Sequence, residues 1–285
     1  MTVDISPERL GRHVEVLTKH GPRFRDCRGV APALRHIHNE MTSYGFKVSV
    51  ERFGSELHEV NLVAEHHGSL GPDRALTDQI VELCAHWDSV EESPGADDNA
   101  SGVAGVLEAA RVLALTPRES RHALRFCFFG EEEPGMLGSA AHVELLSQGN
   151  GERIDAFVFE MIGFVSGSQS FPPELAGLVE VPERGDFIGA VAEPGSIGLL
   201  EAFVAAAVDV PTFSLVIPDI LLDTVARSDH VPYWRAGHRA LMLTDTAEFR
   251  NPHYHEQTDV ARTLDLDFAA KVTTATVLAL TGDLP

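Results

Sequence analysis

Three apolar runs, each leading directly into residues that can ligate a metal, constrain this chain more than any other feature. Gln79–Ala85 reads as a strand that ends against His86. Ala123–Phe129 is a largely apolar run leading into Gly130 and three consecutive glutamates, Glu131, Glu132 and Glu133. Ile154–Phe159 is the third, and Glu160 follows it. Between them, Gly102–Leu115 and Gly138–Ser147 read as helices. Continuous apolar runs suit strands covered on both faces. Strands alternating with helices predict an α/β layered fold around a mostly parallel sheet. In such sheets sites form at the carboxyl edge of the strands.

The remaining elements fit this pattern. Ser6 caps a first helix with Pro7 at its start, and Ala31–Ser43 forms a second that stops at Tyr44-Gly45. Short strands are expected at Phe46–Phe53 and Glu59–Glu65, with a turn-rich connector at Gly68–Asp73. Further on come a helix at Ile197–Val208, strands at Phe213–Ile217 and Arg239–Leu243, and a closing helix at Leu264–Leu280. The stretch Ser166–Glu193 is rich in Gly, Pro and Ser and has no clear period. It is expected to be a lid-like surface excursion near the active site, within a single domain spanning 1–285.

Composition narrows the partners. The 285 residues, 44% of them hydrophobic, can bury one large core. Forty-three acidic residues against 22 basic ones give a formal net charge of −21, which repels nucleic acid and anionic membranes. Three cysteines, Cys27, Cys84 and Cys127, lack a disulfide-framework pattern, and Cys84 and Cys127 sit in strand-like runs as core residues. No leader pattern opens the chain and no window of 18 uninterrupted apolar residues occurs, so the expectation is a soluble, cytoplasmic protein.

Four segments carry the chemistry. In Ala85-His86-Trp87-Asp88 a histidine ends a strand and an aspartate two residues on lies on the same side, able to orient the ring; alone, this motif is weak and reads better as a structural histidine. Gly95-Ala96-Asp97-Asp98-Asn99 leads into a helix and, in isolation, reads as well as a capping turn. Glu131-Glu132-Glu133 behind a buried strand are costly unless a cation or proton balances them, although a solvated acidic loop is the plain alternative. Adjacent carboxylates could divide the work, one ligating metal and one moving protons. Last come Ser228-Asp229-His230 and the polar loop Asn251-Pro-His-Tyr254-His255-Glu-Gln-Thr-Asp259. Nitrogen and oxygen ligands without thiolate suit zinc, and less tightly cobalt or manganese.

Taken together and in this order, His-x-Asp, Gly-Ala-x-Asp-x-x-Ser-Gly, Glu-Glu-x-Gly-x-x-Gly-Ser, Ser-Asp-His and Tyr-His-x-x-x-Asp resemble the di-zinc aminopeptidases of metallopeptidase family twenty-eight, over roughly residues 80–165 and 228–260. The resemblance implies a three-layer α/β/α fold with a mixed, mostly parallel sheet. It implies two zinc ions: one held by His86 and Glu160, one by Glu133 and His255, with Asp98 bridging. It gives Glu132 the role of general base and acid and Tyr254 that of oxyanion stabiliser, with Asp88 and Asp229 supporting from behind. It also implies a cis peptide after the bridging acid, Asp98-Asn99. The family usually has Asp where this chain has Glu160, which lengthens that ligand by a methylene.

The function so implied is hydrolysis of N-terminal residues from peptides with a free amino terminus. Glutaminyl-cyclase chemistry is the nearest alternative. A carboxypeptidase-like relative would want an arginine cluster, for which Arg227, Arg235 and Arg239 are candidates, and an inactive binding relative would keep the fold alone. Phe164, Phe171, Phe187 and Tyr233 are the candidate lining of an apolar substrate pocket. His13, His36, His122 and His142 read as surface or helix polarity.

Overall fold

The pleat of a strand sends successive side chains to opposite faces, and here both faces are apolar. From β3 (Gln79–His86), Val81, Leu83 and Ala85 point one way and Ile80 and Cys84 the other. In β4 (Ala123–Phe129) Phe126 and Phe128 share the first face, Cys127 and Phe129 the second. In β5 (Arg153–Glu160) Phe157 and Phe159 alternate with Ala156 and Val158 in the same way. A sheet apolar on both faces needs a helical layer on each.

The computed structural model describes residues 3–65, 79–115, 122–149, 153–175, 177, 179–217, 227–282 and 284. Within them, β1 (Lys47–Arg52), β2 (Val60–Glu65), β6 (Ile188–Ala192), β7 (Thr212–Val216) and β8 (Arg239–Thr244) join β3, β4 and β5 in one sheet of order β1-β2-β4-β3-β5-β8-β6-β7. Its centre, β4-β3-β5-β8, is parallel, as is β6-β7; the pairs β1-β2, β2-β4 and β6-β8 are antiparallel. The first face is covered by α1 (Pro7–Thr18), α2 (Val30–Ser43), α3 (Gly102–Leu115), α5 (Ile197–Ala206) and α7 (Leu266–Thr281). The second carries α4 (Leu137–Ser147) and α6 (His230–Arg235). The fold is the three-layer α/β/α arrangement around a mixed sheet, and no helix among the described residues is long and apolar enough to cross a membrane.

Two elements were not legible in the sequence. The last residues of the expected surface excursion, Ile188-Gly-Ala-Val-Ala192, are β6, buried throughout between β7 and β8. Five small residues flanked by loops carry no usable period. The short helix α6 was missed because Pro232 lies inside it. The connector at Gly68–Asp73 falls outside the described residues.

Under the second face lies a charged network where an apolar layer was expected. Glu82, fully buried in β3, accepts from Arg125 at 2.7 Å and from the Tyr233 hydroxyl at 2.5 Å. His142 stands between Glu82 at 3.3 Å and Glu51 at 2.8 Å. Burial pushes the Glu82 carboxyl up, but the His142 imidazolium and Arg125 hold it down at about 2. His142, expected on a helix surface, is therefore a buried cation, and His13 and His122 are buried as well. Removing one partner of such a pair leaves an uncompensated charge, which typically costs about 3–5 kcal/mol. Arg125→Met is expected to lower the unfolding free energy by about that amount in denaturant titration, whereas a network of no energetic weight predicts a change below about 1 kcal/mol.

Candidate metal centre

The central parallel strands release their polar ends at one edge. His86 closes β3, the glutamate run follows β4, Glu160 closes β5 and Asp245 follows β8. His86 Nε2 lies 3.3 Å from Asp98 Oδ1 and 3.5 Å from Glu160 Oε2, with Glu132 Oε2 at 4.0 Å. His255 Nε2 lies 3.1 Å from Asp98 Oδ2 and 3.1 Å from Glu133 Oε2. Asp98 thus offers one oxygen to each histidine. All five residues expected to bind metal, and Glu132 beside them, converge at this edge.

These atoms fit a cation better than each other. Among the described residues, His86 Nε2, Asp98 Oδ1, Glu133 Oε1 and His255 Nε2 are buried without a hydrogen bond of acceptable geometry, an unusual state for buried polar atoms. The 3.1–3.5 Å separations between each histidine nitrogen and its facing carboxylate oxygens are close to the edge of a tetrahedron of zinc ligands, about 3.4 Å for bonds of about 2.1 Å. The donor set of imidazole and carboxylate suits zinc.

The electrostatics say the same. Burial raises the Glu132 carboxyl well above its ordinary range although His86 pulls it down, and Glu160, Asp229 and Glu133 push it further. Glu133 is raised to about 7 by burial and Asp98. Burial works against the charged form of His255, yet Asp98 and Glu133 raise it to about 10; His86 is likewise raised, by Glu132 and Glu160. Protons stand here where positive charge is wanted.

Backbone groups hold the ligands in place. Asp88 faces His86 Nδ1 at 3.4 Å and accepts from the N–H groups of Glu132 (3.1 Å) and Glu133 (3.3 Å). One carboxylate thereby ties the β3 end to the β4 loop. Glu131, Met161 and His255 adopt left-handed backbone, φ near 55–60°, costly for residues with a Cβ and tolerated where surroundings enforce it. The Asp98-Asn99 peptide is cis. Asp229 is fully buried, its carboxyl raised to about 7 by burial and by Glu160 and Asp88, with His86 acting against them. Tyr254 stacks on His255 with ring centroids 3.8 Å apart.

Several supporting residues were missed. Asp259 accepts from the N–H groups of Asp97 and Asp98 at 2.9–3.2 Å. Asn99 donates to Phe159 O and accepts from Met161 N. Ser228 donates to Glu160 Oε2 at 2.5 Å. All three lay in quoted segments, but none of their side chains carried an assigned role.

An apolar pocket opens beside Glu160, lined by Phe171, Leu175, Val191, Phe213, Leu215 and Met242, with Arg227, Glu248 and Tyr254 at its polar end. Only Phe171 of the four aromatic candidates lines it. Phe187 stacks behind Phe171, Phe164 packs on His253, and Tyr233 is buried against Glu82. The arginine cluster is not assembled: Arg227 pairs with Glu248, while Arg239 binds Asp155 near the opposite end of the strands.

Comparison with known proteins agrees with this geometry. The chain is 31% identical to the uncharacterized protein YfbL of Escherichia coli over 96% of this chain and 88% of that protein. Two other relatives that bear the name aminopeptidase are matched over only 39% and 18% of their own length. A zinc aminopeptidase from Bacillus subtilis superposes with a TM-score of 0.76 at 18% identity, covering 97% of this chain and 96% of that one. A glutaminyl cyclase from Fimbriiglobus ruber gives 0.71 at 17% identity, covering 99% and 96%. These two likenesses speak to the fold. Residues 61–280, which carry the whole cluster from His86 to His255, match peptidase family M28, and the chain belongs to that family.

Proposed function

We propose that the chain is a zinc-dependent aminopeptidase holding two zinc ions and removing the N-terminal residue of a peptide. The observation that carries this reading is the pair of hydrogen-bond-starved clusters sharing Asp98, set beside an apolar pocket. His86, Glu160 and Asp98 would hold the first zinc ion, and His255, Glu133 and Asp98 the second. Cobalt or manganese suits the same donors less tightly.

Zinc bound there supplies a Lewis acid for the scissile carbonyl and lowers the pKa of its water toward roughly 7. Glu132 takes the proton of the attacking water and returns it to the leaving amine nitrogen. Asp88 fixes Glu132 through its backbone N–H and orients His86. The Tyr254 hydroxyl donates to the oxyanion. Carboxylates at the cluster attract the substrate ammonium, and the pocket receives the side chain of the N-terminal residue. Phe213, Leu215 and Met242 in its lining favour a large apolar side chain.

The first test is metal content together with hydrolysis of aminoacyl amides before and after chelation. Close to two zinc ions per chain, activity lost to chelator and restored by zinc, and a leucyl amide preferred over a glutamyl amide by at least about tenfold are the expected results. Cyclisation of N-terminal glutamine without peptide cleavage would replace this reading with the cyclase one. Glu132→Gln is expected to keep the zinc and lose on the order of 10²–10⁴ in kcat; a fully active variant removes Glu132 from the mechanism.

Stability gives an independent test. His86 and His255 have folded pKa values above their ordinary ones, and so do the carboxyls of Glu133, Asp229, Asp245 and Asp259, these four near 7. Between about pH 5 and 9 the metal-free folded chain therefore binds more protons than the unfolded one, and its stability falls as pH rises. Zinc replaces those protons at the ligands. Melting temperature of the metal-free protein should drop from pH 5 to pH 9, with a much shallower slope when zinc is present. Parallel slopes in the two forms contradict the assignment of His86, His255 and Glu133 to zinc.

A further inference from the structure

One buried cation behind the metal cluster has no role in the reaction outlined above. Arg23, in the turn after α1, is fully buried. Its Nε donates to Trp87 O at 2.6 Å, its Nη1 to Pro94 O at 2.6 Å and its Nη2 to Gly95 O at 2.9 Å, while its backbone N–H donates to Ser89 Oγ at 3.0 Å. These acceptors belong to the irregular segment between His86 and Asp98. Trp87 adjoins the first of these ligands and Gly95 lies three residues before the second. A buried irregular segment must find donors for its carbonyls, and a planar guanidinium presents five in a fixed fork. The segment is moulded around it: Gly95 has φ of 63°, and a Cβ there would lie 2.9 Å from Arg23 Nη2 and 2.2 Å from Asp98 O.

Arg23 makes no hydrogen bond to a carboxylate among the described residues; its partners are carbonyls and the Ser89 hydroxyl. Its charge is therefore not spent in a contact pair and acts through space on Asp88, Asp259, Asp98 and Glu133, the carboxylates that attract it. We infer that Arg23 is a positioning residue that sets the His86–Asp98 spacing and offsets the repulsion of the acid cluster before zinc arrives. The inference rests on the reading of His86 and Asp98 as zinc ligands.

Lysine concentrates its donors on one nitrogen and cannot span Trp87, Pro94 and Gly95. The experiment compares wild type, Arg23→Lys and, as a control, Arg239→Lys, which disturbs a buried ion pair away from the cluster. Zinc dissociation constants come from chelator competition and melting temperatures from the metal-free proteins. Arg23→Lys is expected to weaken zinc binding on the order of 10- to 100-fold, as loss of a ligand-orienting partner does, and to lower kcat with KM little changed. Arg239→Lys should lower the melting temperature and leave zinc affinity at the wild-type value. Equal zinc affinity in Arg23→Lys and wild type overturns the inference, and so does a loss in both variants that tracks their melting temperatures. A wild type that binds no zinc instead defeats the reading on which the inference rests. If Arg23→Lys does not fold, the wild type decides: the Arg23 Nε proton should be protected from exchange already in the metal-free protein, and free exchange there rejects a clamp formed ahead of the metal.

Discussion

The constraint on which the rest of this structure depends is the repulsion among carboxylates buried at one edge of the sheet. Asp88, Asp97, Asp98, Glu132, Asp229, Asp245 and Asp259 are all buried there, with Glu133 and Glu160 beside them. Burying one such charge without compensation costs several kcal/mol, so the surrounding chain is organised around supplying positive charge and N–H groups. Gly163 N and Asn251 Nδ2 reach Asp97; Phe164 N and Ala247 N reach Asp245. At this edge Arg23 and Arg250 are buried arginines, each bonded to carbonyl oxygens, with Gln169 adding one more acceptor to Arg250. What remains uncompensated after these contacts is concentrated around two histidines and three carboxylates, the residues proposed above to hold zinc.

The parallel topology explains why the acids meet. Four neighbouring strands, β4, β3, β5 and β8, run the same way, so the residues that end them are neighbours in space although adjacent ends are separated by 43 to 84 positions in sequence. An antiparallel arrangement would distribute the same ends over two edges. The irregular backbone at Glu131, Met161 and His255 then turns the chain sharply enough for side chains to point back across the edge instead of into solvent. Local strain and buried charge thus occur at the same positions, where local stability has been exchanged for a site.

This edge was legible in the sequence because it breaks a pattern. A strand buried on both faces has no reason to end in glutamate or histidine unless those side chains are used, and the run from Ala123 to Glu133 shows the break directly. The helices and strands with a clear period, such as Gly102–Leu115 and Ala123–Phe129, coincide with the structure to the residue. The failures have a different physical origin. β6 is made of small side chains whose burial is decided by β7 and β8, not by their own pattern. Tyr233 and His142 are polar-edged rings whose sequence surroundings do not distinguish a pocket or a surface from the Glu82 network that holds them. Arg23 is invisible in sequence for the same reason: an arginine in a Gly-Pro turn is ordinarily solvated, and only the fold reveals that it meets carbonyls in place of water.

Glu160 shows how little the placement of a carboxylate depends on its length. It exceeds by one methylene the aspartate usual in the resembled family, yet its Oε2 lies 3.5 Å from His86 Nε2, against 3.3 Å for the aspartate Asp98. The added reach is absorbed by its surroundings. The following residue, Met161, is left-handed at φ 55°, with its N–H bound by Asn99, and the carboxylate is capped by the Ser228 hydroxyl. Asn99 belongs to the segment that presents Asp98 and also donates to Phe159 O, so both carboxylates that face His86 are referenced to the same side chain. A longer carboxylate reaches the same place because its backbone is fixed relative to the segment that presents Asp98. The separation of donor atoms, which decides metal binding, is set by that shared anchor more than by the count of methylenes.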